Sequence, residues 1–471
     1  MNNPKKLVIV LSAALACSAS GLCAAPSDLP SAEARFGGGE MTFEQARDQL
    51  VRASHALRAA EARHTGRRAA ADSLKGLNTP SVSLDAEYVY WEKTIRDGQV
   101  KIDYASVNGM PLPVAGMSYE VNMHQSTFRP IVTGMWQVYG GGKIRASQRA
   151  AAAIADQAGA QVEAAREALL LDLVKLYFGQ SLAERVLGLR GELLHVMEKH
   201  LEDARKLEQG GMITKAQRLQ AQVACDAARR GHDSSRHELE SARIALASLL
   251  YSNEVVMPTT PLFVLTDAVG DRAKIVNDAQ DRNPQIAAVQ SVQRAARQEV
   301  KATRANWLPS VALVGQYNLY RDGNTPLDQD WLAAVAVRWA LFDKIDRRHS
   351  YTAAKQAVIE ADNTVEAVRT MVDTGTRQAY DAVENALRQY LLLDSNLESA
   401  RENLRVQEIA FREGQGTSTD VTNASVALTN VLVERAAAAY RFDVELATLL
   451  HVSGQMDQFT TYMNRADKLT P

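Results

Sequence analysis

Residues 136 to 221 recur at 339 to 424 with one unbroken offset of 203, which pairs Trp136 with Trp339, Tyr177 with Tyr380, Gly211 with Gly414, Thr214 with Thr417 and Ala221 with Ala424. A duplication of this size constrains architecture more than any local propensity does. The question becomes what two copies of a strand-plus-helical-hairpin unit can build.

Lys5 and Lys6 precede the apolar run Leu7 to Ala16 and a small-residue stretch ending near Ala24 or Ala25, so residues 1–25 have the layout of a secretory signal. Export is expected, with Pro26 blurring the cleavage point. Cys17 and Cys23 lie in this segment, and lipid modification of either stands beside ordinary signal cleavage. Cys225 alone remains in the body, so no disulfide framework is expected. Losing Lys5 and Lys6 from 53 basic against 55 acidic residues takes the formal net charge from −2 to about −4, which is not a nucleic-acid-binding balance. No stretch beyond the leader approaches the roughly 20 apolar residues of a spanning helix, so membrane insertion would have to use strands.

Residues 26–40 are rich in Pro, Ser and Gly and read as an extended tail. The first repeat, 41–266, opens with a helix from Thr42, a plausible N-cap three residues before Gln45, that runs to about Leu77 before Pro80. The apolar period then changes from 3.6 to 2: Val82, Leu84, Ala86, Tyr88 and Tyr90 point one way, and Ser81, Ser83, Asp85 and Glu87 the other. This begins a strand pair within 80–139. A long helical hairpin (143–250) and an equatorial segment (251–266) follow. The second repeat, 267–454, has the same order: a helix closed by Trp307-Leu308-Pro309, a strand pair within 309–342, and a hairpin over 347–452. Residues 455–471 form a C-terminal tail.

The first limb of each hairpin is on the order of 100 Å long at ~1.5 Å per residue. Two shorter helices laid end to end match it. That length match puts the strands at one end of a rod and the glycine turns at the other. Strands that alternate Val, Leu, Tyr and Trp with Ser, Asp, Glu and Gln fit an outer-membrane barrel, but single-chain barrels start at about eight strands and only four are present. Several copies must then share one barrel, and three would give twelve strands. The alternative is a water-facing coiled-coil stalk with edge strands of a soluble sheet. Tyr90, Trp91, Trp136, Trp331 and Trp339 near strand ends suit a membrane interface, although a buried core accepts them too.

The repeated order, together with Leu308-Pro309-Ser310-Val311, Trp339-Ala340-Leu341-Phe342-Asp343 and the run Phe411 to Val421 (FREGQGTSTDV), closely resembles the TolC family of outer-membrane efflux proteins over about residues 41–454. The resemblance implies an α+β membrane protein, mostly long α-helices forming a trimeric α-barrel, with four β-strands per protomer contributing to a 12-stranded transmembrane β-barrel. It further implies a passive outer-membrane duct in a homotrimer, a periplasmic adaptor that meets the hairpin tips, and a proton-driven or ATP-driven inner-membrane pump. Small-molecule efflux and type I protein secretion share this fold, and nothing in the residues separates them.

The same resemblance places Asp420 at a periplasmic aperture, where a threefold axis would gather three carboxylates able to bind cations. A solvated or helix-capping Asp is the competing reading. Asn423 stands where a second Asp often follows, and Gln217, paired with Asp420 by the repeat, occupies the matching position of the first hairpin. Gly211, Thr214, Gly414, Gly416, Thr417 and Ser418 shape the tips assigned to adaptor docking; ordinary turn chemistry explains the glycines equally well.

No enzyme signature competes. Tyr139-Gly140-Gly141-Gly142-Lys143 lacks the spacing of a phosphate loop and reads as a hinge. His195 and His200, like His232 and His237, are five apart, about 140° around a helix, and form no metal pair. Cys225 reads as a packed thiol in an Ala-rich helix. No catalytic residue, cofactor or metal is expected.

Overall fold

A computed structural model describes residues 39–95, 105–107, 110–112, 121–266, 269–320, 330–342, 345–413 and 415–468. The leader with Cys17 and Cys23, Gly414, and the side chain of Trp91 lie outside the described residues. In chain order the first repeat holds β1 (Glu40–Met41), α1 (Phe43–Ala53), α2 (His55–Ser73), β2 (Ser81–Ile95), β3 (Ala105–Val107), β4 (Met110–Leu112), β5 (Val121–Tyr139), α3 (Lys143–Gln209), α4 (Lys215–Leu249), β6 (Met257–Pro258) and β7 (Phe263–Val264). The second holds α5 (Arg272–Arg282), α6 (Pro284–Ala305), β8 (Ser310–Asn318), β9 (Trp331–Arg338), α7 (Arg347–Arg412) and α8 (Ser418–Val452), followed by α9 (Phe459–Arg465) and β10 (Asp467–Lys468). Long helices dominate and four strands form the main sheet, as the sequence led us to expect. No helix among the described residues is long and apolar enough to cross a membrane.

The chain divides into two compact units. The first, residues 72–148 and 300–352, is built on an antiparallel sheet in the order β2-β5-β8-β9. Register sets Val82, Leu84, Tyr88 and Tyr90 opposite Gly134, Val132, Phe128 and Ser126, and carries Val132 and Gly134 on to Tyr317 and Gly315, which face Trp331 and Ala333. Because pleat alternates side chains between faces, this register gathers one apolar face across all four strands. In the single chain that face is bare: Val82 is 74 %, Leu84 65 % and Trp331 68 % exposed. β2 and β9 are the two sheet edges.

The turn from β5 into α3 uses Gly141 and Gly142 at φ of 62° and 84°, a region that side-chain-bearing residues avoid. Lys143 donates to Asn306 Oδ1 at 3.0 Å instead of presenting its ammonium to a ligand, in keeping with turn chemistry.

The second unit, residues 30–71, 149–299 and 353–471, is helical. The expected single helix from Thr42 to Leu77 is broken at Ser54, and its counterpart in the second repeat is broken at Asn283. Each break is extended for one residue, with ψ of 114° at Ser54 and 123° at Asn283. At both, the backbone N–H closes the helix behind it, on Leu50 O or Ala279 O, while the side chain caps the helix ahead. Ser54 Oγ accepts from Leu57 N at 3.2 Å, and Asn283 Oδ1 from Gln285 N at 2.8 Å. Asn283 Nδ2 also donates to Val452 O at 2.7 Å, which sets the end of α8 against the start of α6. In the first repeat Gln49 Nε2 reaches Leu250 O, and Tyr251 packs edge-on to His55 at 4.9 Å.

The main core of this unit lies where these helix ends meet. Phe43, Tyr177, Phe178, Phe263, Phe442 and Phe459 are each at most 2 % exposed. Edge-on and tilted contacts such as Phe43–Tyr177 (5.5 Å, 82°) are each worth about 0.5–1.5 kcal/mol beyond area burial. Tyr177 OH donates to Met41 O (2.7 Å) and accepts from Thr259 N (3.1 Å) and Thr260 N (3.0 Å), tying α3 to the β1–β6 pair. Residues 456–468 do not leave as a tail. They fold through α9, and β10 pairs antiparallel with β7, because Phe459 and Met463 supply apolar surface to the same core.

Candidate functional site at the hairpin tips and the sheet

At the first tip, Met212 N bonds back to Leu207 O at 2.9 Å and Gly211 takes φ of 72°, the left-handed residue that ends a helix with its carbonyls satisfied. Thr214 then caps α4: its hydroxyl accepts from Gln217 N (3.3 Å), and Gln217 Oε1 accepts from Thr214 N (2.8 Å). The second tip repeats the device one offset later. Thr417 Oγ1 accepts from Asp420 N (3.3 Å), and Asp420 Oδ2 accepts from Thr417 N (3.0 Å) and Thr417 Oγ1 (2.6 Å). Asp420 and Gln217 are therefore the third-residue members of two capping boxes. Thr417 supplies the partner in the second box.

The Thr417 hydroxyl first, and its N–H second, hold the Asp420 carboxyl below the ordinary range, so it is anionic. Both bonds fall on Oδ2, which leaves Oδ1 without a partner among the described residues. Asp420 is exposed, and exposed Asn423 lies three residues on along the same helix face. Gln217 is half-buried and uncharged.

The tip residues do not share one environment. Gly211, Thr214 and Thr417 are exposed, and Gly416 is half-buried. Gly416 packs so that a Cβ would come within 3.0 Å of Phe411 N, so here the requirement is space and not positive φ. Ser418 is 1 % exposed, with its hydroxyl 2.6 Å from His200 Nε2, so its side chain shapes the tip from within. His200, itself buried, also packs on the Phe411 ring at 5.3 Å. Nothing local in the sequence ties residues 200 and 418 together; only the fold does.

At the sheet, Tyr90 (61 %) and Trp331 (68 %) stand exposed on the apolar face. Trp136 and Trp339 do something further. Their indole N–H groups donate to Asn78 O (3.0 Å) and Trp307 O (3.3 Å), the carbonyls that close the preceding helical segments in the two repeats. They pin the junction between helix and strand while presenting an aromatic edge outward. No cluster of metal-binding side chains occurs among the described residues.

Comparison with known proteins agrees with this architecture. A family model described as outer membrane efflux protein matches residues 46–250 and 275–455. Protein CyaE of Bordetella pertussis is 26 % identical over 260 residues, 53 % of this chain and 54 % of its own. Outer membrane protein TolC of Vibrio cholerae is 26 % identical over 204 residues, 41 % of this chain and 46 % of its own. The chain thus matches about half the length of these curated relatives. The open state of the MtrE outer membrane channel of Neisseria gonorrhoeae shares the fold, with a TM-score of 0.72 at 18 % identity over 88 % of this chain and 89 % of that one. A duplicated unit of strand pair and capped helical hairpin, matched over both repeats, leaves one assignment: the chain belongs to the outer membrane efflux protein family.

Proposed function

We propose that the chain is the passive outer-membrane exit duct of a tripartite efflux system, conducting small molecules delivered by an inner-membrane pump through a periplasmic adaptor. The observation that carries this reading is the sheet of the first unit: four strands, one bare apolar face, and unpaired edges at β2 and β9. In hydrocarbon each unpaired backbone group costs several kcal/mol, so such a sheet is stable in lipid only when further copies close it. Three copies complete a twelve-stranded barrel. Two capped tips per protomer then offer six turns to an adaptor, through Gly211, Thr214, Gly416 and Thr417, with Asp420 carboxylates lining the opening.

The test has two stages. Detergent-extracted protein should behave as a heat-modifiable trimer that forms ion-conducting channels in planar bilayers; a monomer that dissolves without detergent ends the proposal. Deletion should then raise susceptibility to drugs, dyes or metals. Unchanged susceptibility with loss of a secreted protein would assign the duct to protein secretion instead.

A further inference from the structure

We propose that His200 is a clasp that holds the tip of the second hairpin against the first, and that protonation of its imidazole releases it. The inference rests on the tips forming the opening only for its effect on conduction; the clasp itself is a contact within the chain.

Its geometry is asymmetric between the repeats. The first tip is closed by an ion pair, Glu208 Oε2 to Arg218 Nε at 2.6 Å, both residues partly buried. The repeat offset puts Phe411 and Val421 at those positions in the second hairpin, so the matching ion pair is not made there. The His200 ring is there instead, reaching across from α3 to lie on Phe411 with Nε2 on the Ser418 hydroxyl. The position matching His200 in the second repeat is Asn403, so the contact is made once per chain. A second bond, Thr419 Oγ1 to Gln220 Oε1 at 3.0 Å, joins the same two hairpins at the exposed rim.

Neutral imidazole suits this pocket and imidazolium does not. His200 is 8 % exposed, and Ser418 is the first residue of α8, so a proton on the ring would place a cation at the positive end of that helix's dipole. Burial pushes the His200 pKa below 6.5; a hydrogen bond with the Ser418 backbone and then Asp203, on the same helix as His200, oppose this less strongly. α7 presents the Phe411 ring and α8 the Ser418 hydroxyl, and among the described residues the charge that acts on His200 is Asp203 of its own helix. A histidine with a depressed pKa when docked favours docking above its ordinary pKa, and that preference is lost as pH falls through the range below. With a released pKa of ~6.5, the ratio of released to docked tips rises at most about tenfold between pH 7.5 and 5.5.

The experiment uses the full-length protein with spin labels on the exposed positions Met212→Cys and Gln415→Cys; Cys225 is buried and does not compete. Tip separation should shift to longer distances at pH 5.5. His200→Gln, which keeps a hydrogen-bonding side chain but cannot titrate in this range, should flatten the pH profile. Ser418→Ala should raise the released fraction already at pH 7.5. A wild-type separation that ignores pH, a profile that survives His200→Gln, or an unchanged Ser418→Ala protein overturns the clasp. Bilayer conductance read alongside separates the two ideas: pH-dependent separation at constant conductance supports the clasp while removing the tips as the opening.

Discussion

Tyr177 and Tyr380 occupy the same place in the two repeats, yet their hydroxyls carry different loads. Tyr177→Phe removes one donated and two accepted bonds in a site where the ring is fully buried; Thr259 N keeps its bond to Met41 O at 3.1 Å, while the Thr260 amide is left to find another partner. With about 0.5–1.5 kcal/mol net for each bond, and about 1–3 kcal/mol for a buried group left unsatisfied, the loss is about 3 kcal/mol. Packing is retained, since Phe keeps the ring that contacts Phe43 and Phe178. Tyr380→Phe removes the bond to Gly270 O, at 3.1 Å and on the exposed side, and a solvent-facing contact with Glu384, so its loss is about 1 kcal/mol. At ~2.1 cal/mol/K per residue, 471 residues carry an unfolding entropy of about 1 kcal/mol/K, which converts these losses to about 3 °C and about 1 °C. Intrinsic fluorescence during thermal unfolding in detergent, at one scan rate for both variants, measures them. Equal shifts, or a larger shift for Tyr380→Phe, would refute the argument that the bonds to the equatorial strands, and not the ring, distinguish the two tyrosines.

Asp420→Asn should keep the bonds to Thr417, as Gln217 keeps those to Thr214, and so retain thermal stability while relieving cation block in bilayers; Asp420→Ala should lose both. Cation block that persists in Asp420→Asn removes the aperture role. Trp136→Phe and Trp339→Phe keep an aromatic ring but lose the bonds to Asn78 O and Trp307 O, so each should lower heat resistance by about 1 kcal/mol without preventing membrane insertion; wild-type heat resistance in both would count against a junction role. Burial, then Asp457 and Glu163, raise the Glu167 pKa from 4.5 to about 8. A raised carboxyl pKa gives stability that is complete below 4.5 and disappears as pH climbs through about 8. Glu167→Gln should therefore gain on wild type from pH 5 to 8 and level off above; stability curves that stay parallel would show that the shift is not there.

What could be read from the residues was what repeats locally. Alternation of period 2 after Pro80 and Pro309 located β2 and β8, and the offset of 203 fixed the matching hairpins. The Thr-x-x-Gln and Thr-x-x-Asp boxes were also present in the text of the chain. The helix breaks were unequally legible: Asn283-Pro284 carries a cap followed by a proline suited to a first helical position, whereas Ser54 sits in an unbroken helical pattern, and the contacts beside it, Gln49 to Leu250 O and His55 to Tyr251, are tertiary. Trp136 and Trp339 looked like interface aromatics because nothing local announces that a helix-closing carbonyl lies within reach of the indole. His200 and Ser418 are 218 residues apart, and their contact exists only through tertiary packing.

Ser54 and Asn283 interrupt their helices with the backbone N–H serving the helix behind and the side chain the helix ahead. Such a corner is a mitred joint, not a pivot: flexing it gains no new bond and breaks buried ones. Motion that accompanies passage of cargo must then be distributed along the uninterrupted helices toward the tips, while the girdle around these joints stays stiff. Amide exchange at Leu57 and Ile286 as slow as in the aromatic core would register that stiffness, and fast exchange there would make the joints hinges after all.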